Sequence, residues 1–442
     1  MAFAKQVTEL TFDDIQALVD SEEPESVTLE YKREIDTAPR GKKELAKDVS
    51  AMANSQGGHL IIGLAEEQHR PKMPDRFVDR MLGKQKAEEW LEQVLNSNVQ
   101  QRVNVRIRPI SVPDKAAECV VVIEIPQSPR VPHMVTTEGE KRYYVRHNFQ
   151  TLPAEEYEVR DMFERGGKTR KEVEGYLRKR GYFEPDDDPE FAMNNLTTQL
   201  SISYWDDTRT PVIEPAHTVV SLVACPTMLG QGVDTSSQEF REWFQSTKRL
   251  YYPSGLFIPR ESSRTTLEGV ICTNYSPRDE QSRHCPIRDY LVVHRNGYVE
   301  YGYGDGIMWE GRRLVNFVKM TGRFWQFLGF VRDLYRYARL SASAIVLLNL
   351  SNLEGTRLGM LGDGWRAEID PFARTVSGDE SLERHIQIVT ELDIQRFEPD
   401  QIEATVRGVA AKVGNAFGQD EPRCFNCKDG SFPDDRFRAY TR

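Results

Sequence analysis

An α+β fold in two domains is the fold class that this sequence predicts. The chain has 442 residues, which is more than one domain usually contains. In both halves, stretches with helical spacing of apolar residues alternate with short apolar runs of strand length. Between the halves, Pro185-Asp-Asp-Asp-Pro189 places two prolines around an acidic run where this periodicity lapses. We therefore predict a mixed α/β domain over residues 1–183 and a separate α+β domain over residues 190–442.

The N-terminal domain is expected to alternate helices and strands. The predicted helices cover residues 11–19, 42–53, 84–95, 153–165 and 168–182. The predicted strands cover residues 27–32, 59–64, 103–110, 119–125 and 142–146. Leu45, Val49 and Met52 illustrate the helical signal, because they fall at positions i, i+4 and i+7. Asn54 and the pair Gly57-Gly58 then end that helix, since these residues tolerate left-handed backbone conformations. Pro153 is expected in the first turn of its helix.

The C-terminal domain shows the same two kinds of signal. Predicted strands cover residues 217–224, 289–294, 298–303, 344–350 and 386–392. Predicted helices cover residues 312–340, with a possible break at Thr321-Gly322, and residues 399–417. Asn296-Gly297 is a strong hairpin signal, because both residues accept the positive φ that a two-residue turn requires. No copy of the N-terminal acidic motif described below occurs in this half.

Composition indicates a soluble globular protein. Charged residues make up 29% and hydrophobic residues 39%, and the formal net charge is −10, which argues against indiscriminate coating of nucleic acid. No apolar run approaches the roughly 20 residues that cross a bilayer. The first residues lack the apolar segment of a secretory signal, so a cytoplasmic location is expected. Positive charge is nevertheless clustered close to the acidic motif, at Lys32, Arg33, Arg40, Lys42, Lys43 and Lys47.

Six cysteines are expected to be reduced thiols, because a chain of this size does not need disulfides. Cys424 and Cys427 have the spacing of half a zinc site, and His284-Cys285 could complete it only through tertiary contact. A C-terminal loop with two free cysteines is the preferred interpretation.

Three glutamates and a lysine flank the first strand–helix–strand unit. Glu25 precedes the strand, Glu30 and Lys32 lie in it, and Glu66 follows the next strand. Carboxylates hold hard divalent cations such as Mg²⁺ or Mn²⁺, which activate water for phosphodiester cleavage, and a lysine can stabilise charge on phosphate. A separation of five would put Glu25 and Glu30 on opposite faces of an ideal strand, so the chain has to bend near Pro24 for them to converge. From residue types alone, solvated surface charge is the preferred interpretation of these glutamates.

Residues 25 to about 165 resemble the Schlafen-type AlbA domain. In that family a Glu-Ser-x-x-x-Glu-(Phe or Tyr)-Lys strand precedes a helix that ends in Ala-x-Ala-Asn-x-x-Gly-Gly, and an Ile-Gly strand leads into acidic residues. This chain has Glu-Ser-Val-Thr-Leu-Glu-Tyr-Lys at 25–32, Ala-Met-Ala-Asn-Ser-Gln-Gly-Gly at 51–58 and Leu-Ile-Ile-Gly-Leu-Ala-Glu at 60–66. The late aromatic-Arg strand of the family is matched by Tyr-Tyr-Val-Arg at 143–146.

The resemblance implies a metal-dependent ribonuclease centre. Glu25, Glu30 and Glu66 would be its acids and metal ligands, with Lys32 beside them and tRNA or rRNA in a basic cleft. Glu66 stands where the nucleases carry aspartate. The vertebrate nucleases enclose RNA between two lobes, whereas this chain shows one, so a homodimer could supply the second wall.

We therefore predict a metal-dependent endoribonuclease that uses Mg²⁺ or Mn²⁺ on structured RNA such as tRNA, with DNA as a further possible partner. The expected nucleic-acid-binding residues are Lys32, Arg33, Lys42, Lys43, Tyr144 and Arg146. Two roles stay open for Arg146, contact with phosphate or pairing with a core acid. Tyr143 and Tyr144 alternate, so one is expected in the core while the other stacks on a base. The main alternative is a non-catalytic nucleic-acid-binding or transcriptional regulatory protein, and a third is a nucleotide-binding input module, although the chain has no phosphate-binding loop motif.

Overall fold

The computed structural model of the chain describes residues 3, 5, 7–137, 140–180, 182, 218–229, 232–250, 262–275, 287–305, 307–309, 312–338, 340, 343–361, 374–377, 384–393 and 399–419. The protein is α+β, as predicted. Its internal contacts divide it into two compact units, Met1–Lys171 and Glu172–Arg442. The proline-flanked acidic run at 185–189 lies outside the described residues. Within the described residues, no helix is both long enough and apolar enough to cross a membrane.

The first unit contains three complete helices and thirteen strands among its described residues. After a short 3-10 turn, Val7–Glu9, the helices are α1 (Phe12–Asp20), α2 (Pro39–Asn54) and α3 (Ala87–Asn98), and α4 (Glu156–Lys179) begins in this unit. The strands are β1 (Leu29–Lys32), β2 (Gly58–Ile62), β3 (Ala65–Glu67), β4 (Arg70–Lys72), β5 (Val78–Asp79), β6 (Met81–Leu82), β7 (Gln85–Lys86), β8 (Val99–Gln100), β9 (Arg106–Val112), β10 (Lys115–Ile125), β11 (Met134–Thr137), β12 (Glu140–His147) and β13 (Gln150–Pro153).

The main sheet of this unit has the strand order β1-β2-β10-β5, with β9 also paired to β10. β1 and β2 are parallel, whereas β10 runs antiparallel to β2. A second sheet has the order β13-β12-β11-β8, and β3-β4 and β6-β7 are small hairpins. The main sheet is apolar on both faces, because successive side chains of β10 enter two different cores. Val121 and Ile123 pack with Leu45 and Met52 of α2, whereas Val120 packs in the core that α1 covers.

Helix α4 is continuous where two helices were expected. Pro153 ends β13 instead of opening a helix, and α4 starts at Glu156 and runs without a break through the glycine pair at 166–167. Gly166 is required there for a packing reason. A Cβ on Gly166 would lie 2.7 Å from the Val131 carbonyl oxygen, so glycine lets the helix approach that backbone. Gly166 therefore marks close packing, and the predicted interruption between two helices at this position is wrong.

The second unit contains three further helices and eleven strands among its described residues. The helices are α5 (Gln238–Leu250), α6 (Phe317–Tyr337) and α7 (Pro399–Ala416). The strands are β14 (Thr218–Pro226), β15 (Ser262–Thr265), β16 (Gly269–Tyr275), β17 (Ile287–His294), β18 (Val299–Asp305), β19 (Ile307–Trp309), β20 (Arg312–Asn316), β21 (Ala344–Ser351), β22 (Arg357–Leu361), β23 (Arg374–Ser377) and β24 (His385–Leu392). One sheet has the order β15-β16-β17-β18-β14-β21-β24, and a smaller one has the order β19-β20-β22-β23.

The Asn296-Gly297 turn joins two antiparallel strands, β17 and β18, as its sequence predicts. The long helix expected over residues 312–340 is shorter, because β20 occupies the first part of that stretch. Asn316 then caps α6, its side chain accepting a hydrogen bond of 3.1 Å from the backbone N–H of Lys319. No break occurs at Gly322, and the aromatic residues of α6 other than the half-buried Tyr337 are buried in the core of this unit.

The cysteines that the structure describes are Cys119, Cys225 and Cys272. All three are buried and free, in agreement with the predicted reduced state. Cys285, Cys424 and Cys427 lie outside the described residues, as does His284.

Candidate functional site

Gly57 and Gly58 join the end of α2 to β2, and Gly58 brings the segment before β1 against the start of β2. Gly57 and Gly58 have φ angles of 74° and 145°, which non-glycine residues rarely adopt. A Cβ on Gly58 would lie only 2.2 Å from the Thr28 carbonyl oxygen, and the next N–H, that of His59, donates to this oxygen at 2.8 Å. Gly58 thus allows the close approach of these two segments. The pair also follows the end of α2 directly, which is the helix-end role that residue type alone predicts.

Asn54 connects α2 to the second sheet. Its side-chain amide donates to the carbonyl oxygens of His133 and Tyr144 at 3.0 and 2.9 Å, and its oxygen accepts from the His133 N–H at 2.7 Å. The residue is buried. All of these partners are backbone groups, so Asn54 holds the fold together beneath the site.

The chain bends before β1, which is the condition that the spacing of Glu25 and Glu30 imposes. Ser26 and Leu29 pair as an isolated bridge, and the strand itself begins only at Leu29. The bend folds Glu25 back over the strand. One of its carboxylate oxygens, Oε1, accepts from the Tyr31 N–H at 3.1 Å.

The β3–β4 hairpin carries Glu66 and a residue that the sequence analysis did not select, His69. Gln68 and His69 form the two-residue turn with φ angles of 54° and 61°. This left-handed pair is what a tight hairpin turn requires. The Glu66 side chain supports the turn, because its Oε1 accepts from the His69 N–H at 2.8 Å.

Glu25, Glu66 and His69 form the candidate metal site. Among the residues that the structure describes, these three each offer a ligand atom within 4.8 Å of the other two. His69 Nδ1 lies 2.8 Å from Glu25 Oε2 and 3.7 Å from Glu66 Oε1. The Glu25 side chain is 6% exposed, whereas those of Glu66 and His69 are 40% and 49% exposed. The group is therefore anchored on one side and open to solvent on the other.

The pKa of His69 is raised above its ordinary value. The largest cause is the hydrogen bond with Glu25, which outweighs desolvation, and the negative charges of Glu25, Glu66 and Glu30 add to it. Glu30 is thus close enough to influence His69 electrostatically. Its own oxygens, however, are directed to another set of partners.

Glu30 belongs to a neighbouring charge network, formed by Glu30, Lys32, Asp48 and Arg146. Glu30 Oε2 pairs with the buried guanidinium of Arg146, and Glu30 Oε1 lies 3.3 Å from Lys32 Nζ. Lys32 Nζ also lies 2.7 Å from Asp48 Oδ2. Two acids face two bases, so the network is formally neutral. The structure therefore brings Glu25 and Glu66 together with His69, while Glu30 lies beside them with its oxygens on Arg146 and Lys32.

Burial and charge pairing act in opposite directions on the pKa values of this charge network. Desolvation raises the pKa of Glu30 in spite of the positive charges of Arg146 and Lys32. For Lys32, desolvation acts to lower the pKa, but the negative charges of Asp48 and Glu30 and their hydrogen bonds raise it overall. Lys32 thus keeps its positive charge, with the two acids holding its position.

Asp48 is a second functional candidate that the sequence analysis missed. It is buried on α2, and its Oδ1 accepts from the Thr151 hydroxyl at 2.8 Å. A signal was present in the sequence, because Asp48 falls on the helix face that carries Leu45 and Met52. An acid among core positions is costly unless it is paired, which predicts a cationic partner.

The predicted nucleic-acid-binding residues fall into two groups. Arg33 is exposed, and Lys42 and Lys43 are half-buried on α2, where the Lys42 ammonium lies 5.8 Å from the centre of the Trp90 ring. Arg146 is buried and pairs with Glu30, which is the core-acid alternative of the two that its sequence left open. These placements leave Arg33, Lys42, Lys43 and Lys32 as the accessible basic residues of the predicted set.

The expectation for Tyr144 is corrected by its burial. Its ring lies in the hydrophobic core, where Lys47 Nζ approaches the ring centre to 5.3 Å, so it has no open face for a base. Tyr143 is the more exposed member of the pair, and it packs against Phe163. Tyr143 and Tyr144 differ in burial along β12, as predicted. Tyr144, which was expected to bind nucleic acid, is the one in the core, and Tyr143 is the more exposed one.

Comparison with known proteins identifies the domain that carries this site. Residues 25–155 match the Schlafen, AlbA_2 family. Among solved structures, the DIP2311 protein from Corynebacterium diphtheriae is similar to the chain with 13% sequence identity and a TM-score of 0.24, over 41% of this chain and 42% of that chain. The chain thus spans less than half the length of that protein. No protein of curated function matches the chain significantly. Residues 25–155 are therefore an AlbA_2 domain of the Schlafen type, and this domain indicates a function related to nucleic acid.

Proposed function

We propose that the N-terminal unit is a metal-dependent endoribonuclease that hydrolyses phosphodiesters of structured RNA, with tRNA as the first substrate to test. The observation that carries this proposal is the convergence of Glu25, Glu66 and His69 within 4.8 Å. The AlbA_2 domain supports nucleic acid as the ligand, and the match of its acidic motif to the nuclease members of the family supports hydrolysis of RNA.

The residues of the candidate metal site fit a divalent cation. Two carboxylates supply hard oxygen ligands of the kind that Mg²⁺ and Mn²⁺ prefer, and the imidazole of His69 favours Mn²⁺ of the two. His69 has to lose the proton that its Nδ1 donates to Glu25 before that nitrogen can bind a cation. Metal binding releases this proton from the imidazolium, the form that the raised pKa favours. When bound, such a cation polarises a phosphoryl oxygen and activates water.

Lys32 is proposed to bind the phosphate. Its ammonium group is held between Glu30 and Asp48, and its side chain is still partly accessible. A positive charge fixed in advance stabilises negative charge that develops on phosphate, at no cost of reorganisation. Glu30 is proposed to position this lysine. Glu30 is itself held by its ion pair with Arg146, which lies on β12.

Accessible basic residues supply the rest of the proposed RNA contact. Arg33, Lys42 and Lys43 follow in sequence the strand that carries Lys32, and none of the three is buried. Contacts of this kind bind the backbone of RNA and also that of DNA, and they weaken as salt concentration rises. DNA is therefore included as a second substrate class in the assays.

The decisive experiment is cleavage of tRNA by the purified chain with Mn²⁺ or Mg²⁺. EDTA should stop cleavage, and Glu25→Gln, Glu66→Gln and His69→Asn should each lower the rate by at least about a hundredfold. Glu67→Gln is the matched control, because Glu67 is the neighbour of Glu66 but pairs with Lys72 at 2.7 Å on the surface. Its activity should stay within about twofold of the wild-type rate, since an exposed ion pair contributes little.

Glu30→Ala tests the neighbouring charge network. Its activity should also be lost, because Lys32 and Arg146 would then lose the carboxylate that holds them. If the Glu30→Ala protein folds and cleaves RNA at the wild-type rate, the proposed positioning role of Glu30 is refuted. If EDTA leaves the wild-type rate unchanged, the proposal of a metal-dependent nuclease is refuted.

The second candidate function is non-catalytic binding of nucleic acid, as in a regulatory protein. The observation in its favour is that both oxygens of Glu30 are engaged by Arg146 and Lys32. This function predicts binding of RNA or DNA that weakens with salt, with no cleavage in the presence of Mn²⁺ or Mg²⁺.

A homodimer is proposed as the assembly that encloses RNA. The family match covers a single lobe, residues 25–155, so a second copy of the chain would supply the opposite wall. Light scattering at micromolar concentration should give twice the mass of the chain, and a monomer mass would count against the dimer.

A further inference from the structure

Phe149 presents an exposed aromatic ring beside the candidate metal site. It occupies the two-residue turn between β12 and β13, next to Asn148, whose φ of 52° forms that turn. The residue is 41% exposed. Its ring centre lies 4.3 Å from that of His69, and the two ring planes are inclined by 35°.

Exposure alone would give this ring no function, because single exposed hydrophobic residues are common on protein surfaces. Its neighbour makes the difference. His69 is the residue that links the carboxylates of Glu25 and Glu66. An accessible aromatic surface therefore adjoins the group that is proposed to bind the metal and the scissile phosphate.

We propose that Phe149 stacks on the nucleobase next to the scissile phosphate, and that the RNA segment at the site is therefore unpaired. This inference rests on the proposed function. A base inside a duplex has both faces covered by its neighbours, so only an unpaired base can lie against a protein ring. Stacking of this kind accepts any base, because each base has an aromatic face. Phe149 thus selects single-stranded positions, such as loops of a structured RNA, without selecting their sequence.

A competing role for the ring is purely structural. Phe149 could hold the imidazole of His69 in place and act only through the metal. In that case the loss of the ring would weaken metal binding and RNA binding together. Stacking on a base predicts instead that metal affinity stays constant while RNA affinity falls.

The test uses the full chain and a short single-stranded RNA that carries one 2-aminopurine, a base whose fluorescence is quenched by stacking. Binding is followed by the quench with Mn²⁺ present, and the RNA from the same cuvette is then run on a gel to score cleavage. Phe149→Ala should lower RNA affinity by about fivefold or more and abolish the quench. Phe149→Tyr, which keeps the ring, should retain both.

Phe163→Ala is the matched control. Phe163 is also an exposed phenylalanine, at 56%, but its aromatic neighbour is Tyr143 rather than His69. This variant should bind the RNA as the wild type does. Calorimetric titration with Mn²⁺ should give the same affinity for the wild type and Phe149→Ala.

Each other result overturns the inference. The inference is wrong if Phe149→Ala binds the RNA as tightly as the wild type, or if its affinity for Mn²⁺ falls along with its affinity for RNA. It is also wrong if the wild type binds a duplex that carries the same base as tightly as the single strand, or if it binds no RNA. The gel separates the two proposals. If the quench depends on Phe149 and the RNA stays intact, stacking is supported and the nuclease is refuted. If the RNA is cleaved and Phe149→Ala has no effect on binding, the nuclease is supported and stacking is refuted.

Discussion

Glu25 and His69 bind each other through both backbone and side chain. The Glu25 N–H donates to the His69 carbonyl oxygen at 2.8 Å, and the Glu25 carboxylate lies 2.8 Å from His69 Nδ1. The backbone bond fixes the β3–β4 turn against the segment before β1, and the side-chain bond fixes the imidazole. The candidate metal site is thus built where two distant segments of the chain are tied together.

The first prediction concerns the protonation of His69. Because the hydrogen bond with Glu25 and the nearby carboxylates stabilise the imidazolium, its pKa should lie above the ordinary value. NMR titration of the imidazole signals should show this directly, and Glu25→Gln should bring the pKa down. Glu67→Gln, which removes an acid paired with Lys72, should leave it unchanged. A His69 pKa that is insensitive to Glu25→Gln would contradict the arrangement.

The second prediction concerns the glycine at the start of β2. Gly58→Ala should destabilise the protein by at least about 2 kcal/mol, because the backbone is left-handed and the new Cβ would collide with the Thr28 carbonyl oxygen. Gly83→Ala separates the two causes. Gly83 also has positive φ, but a Cβ there would meet no atom within 4 Å. Gly83→Ala should lower the free energy of unfolding, measured by urea denaturation, by only about 1 kcal/mol. Equal losses for Gly58→Ala and Gly83→Ala would argue against the collision.

The sequence predicted the frame of the site well, because that frame is local. The apolar spacing of α2, the alternation of β1 and the glycine pair at 57–58 are all signals within a few residues. The need for a bend before β1 also followed from the odd spacing of Glu25 and Glu30. Local patterns therefore located both acids and the elements that carry them.

The partners of these acids could not be predicted, because they depend on contacts across the chain. Glu30 pairs with Arg146, which is 116 residues away, and no periodicity reports that contact. His69 was missed for a different reason. The β3–β4 turn, Glu67-Gln-His-Arg70, contains no Asn or Gly, so it lacks the usual signal of a two-residue hairpin.

The third prediction concerns the buried Arg146. Arg146→Met should destabilise the protein by about 3–5 kcal/mol, because Glu30 would remain largely buried without its guanidinium partner. The double variant with Glu30→Gln should recover part of this loss, since the uncompensated charge is then removed as well. Urea denaturation of the wild type, the two single variants and the double variant gives the coupling energy. If the two single losses in the free energy of unfolding simply add in the double variant, the interaction between Glu30 and Arg146 contributes nothing to stability.

The fourth prediction concerns Glu300, which is buried in the second unit. Its Oε1 accepts from the Tyr290 hydroxyl and its Oε2 from the Tyr298 hydroxyl, both at 2.6 Å, and Arg180 approaches Oε2 to 3.2 Å. Burial acts to raise the pKa of Glu300, but Arg180 and the two tyrosine hydrogen bonds lower it below the ordinary 4.5. The unfolded chain then binds the proton more readily. The stability that Glu300 contributes is therefore present above about pH 4.5 and is lost as the pH falls through the lower, folded-state pKa.

Tyr298→Phe should shift that loss to higher pH, because it removes one donor to the carboxylate and so raises the folded-state pKa. At neutral pH it should also cost about 1.5–3 kcal/mol, the usual contribution of a hydrogen bond to a charged group. Tyr335→Phe is the matched control, since the buried Tyr335 hydroxyl donates to a neutral acceptor, the Gly297 carbonyl oxygen, at 3.0 Å. Its cost should be about 1 kcal/mol and independent of pH. Urea midpoints measured from pH 7 to pH 3 check both variants, and parallel pH profiles for the two would show that Glu300 does not carry the charge in the folded protein.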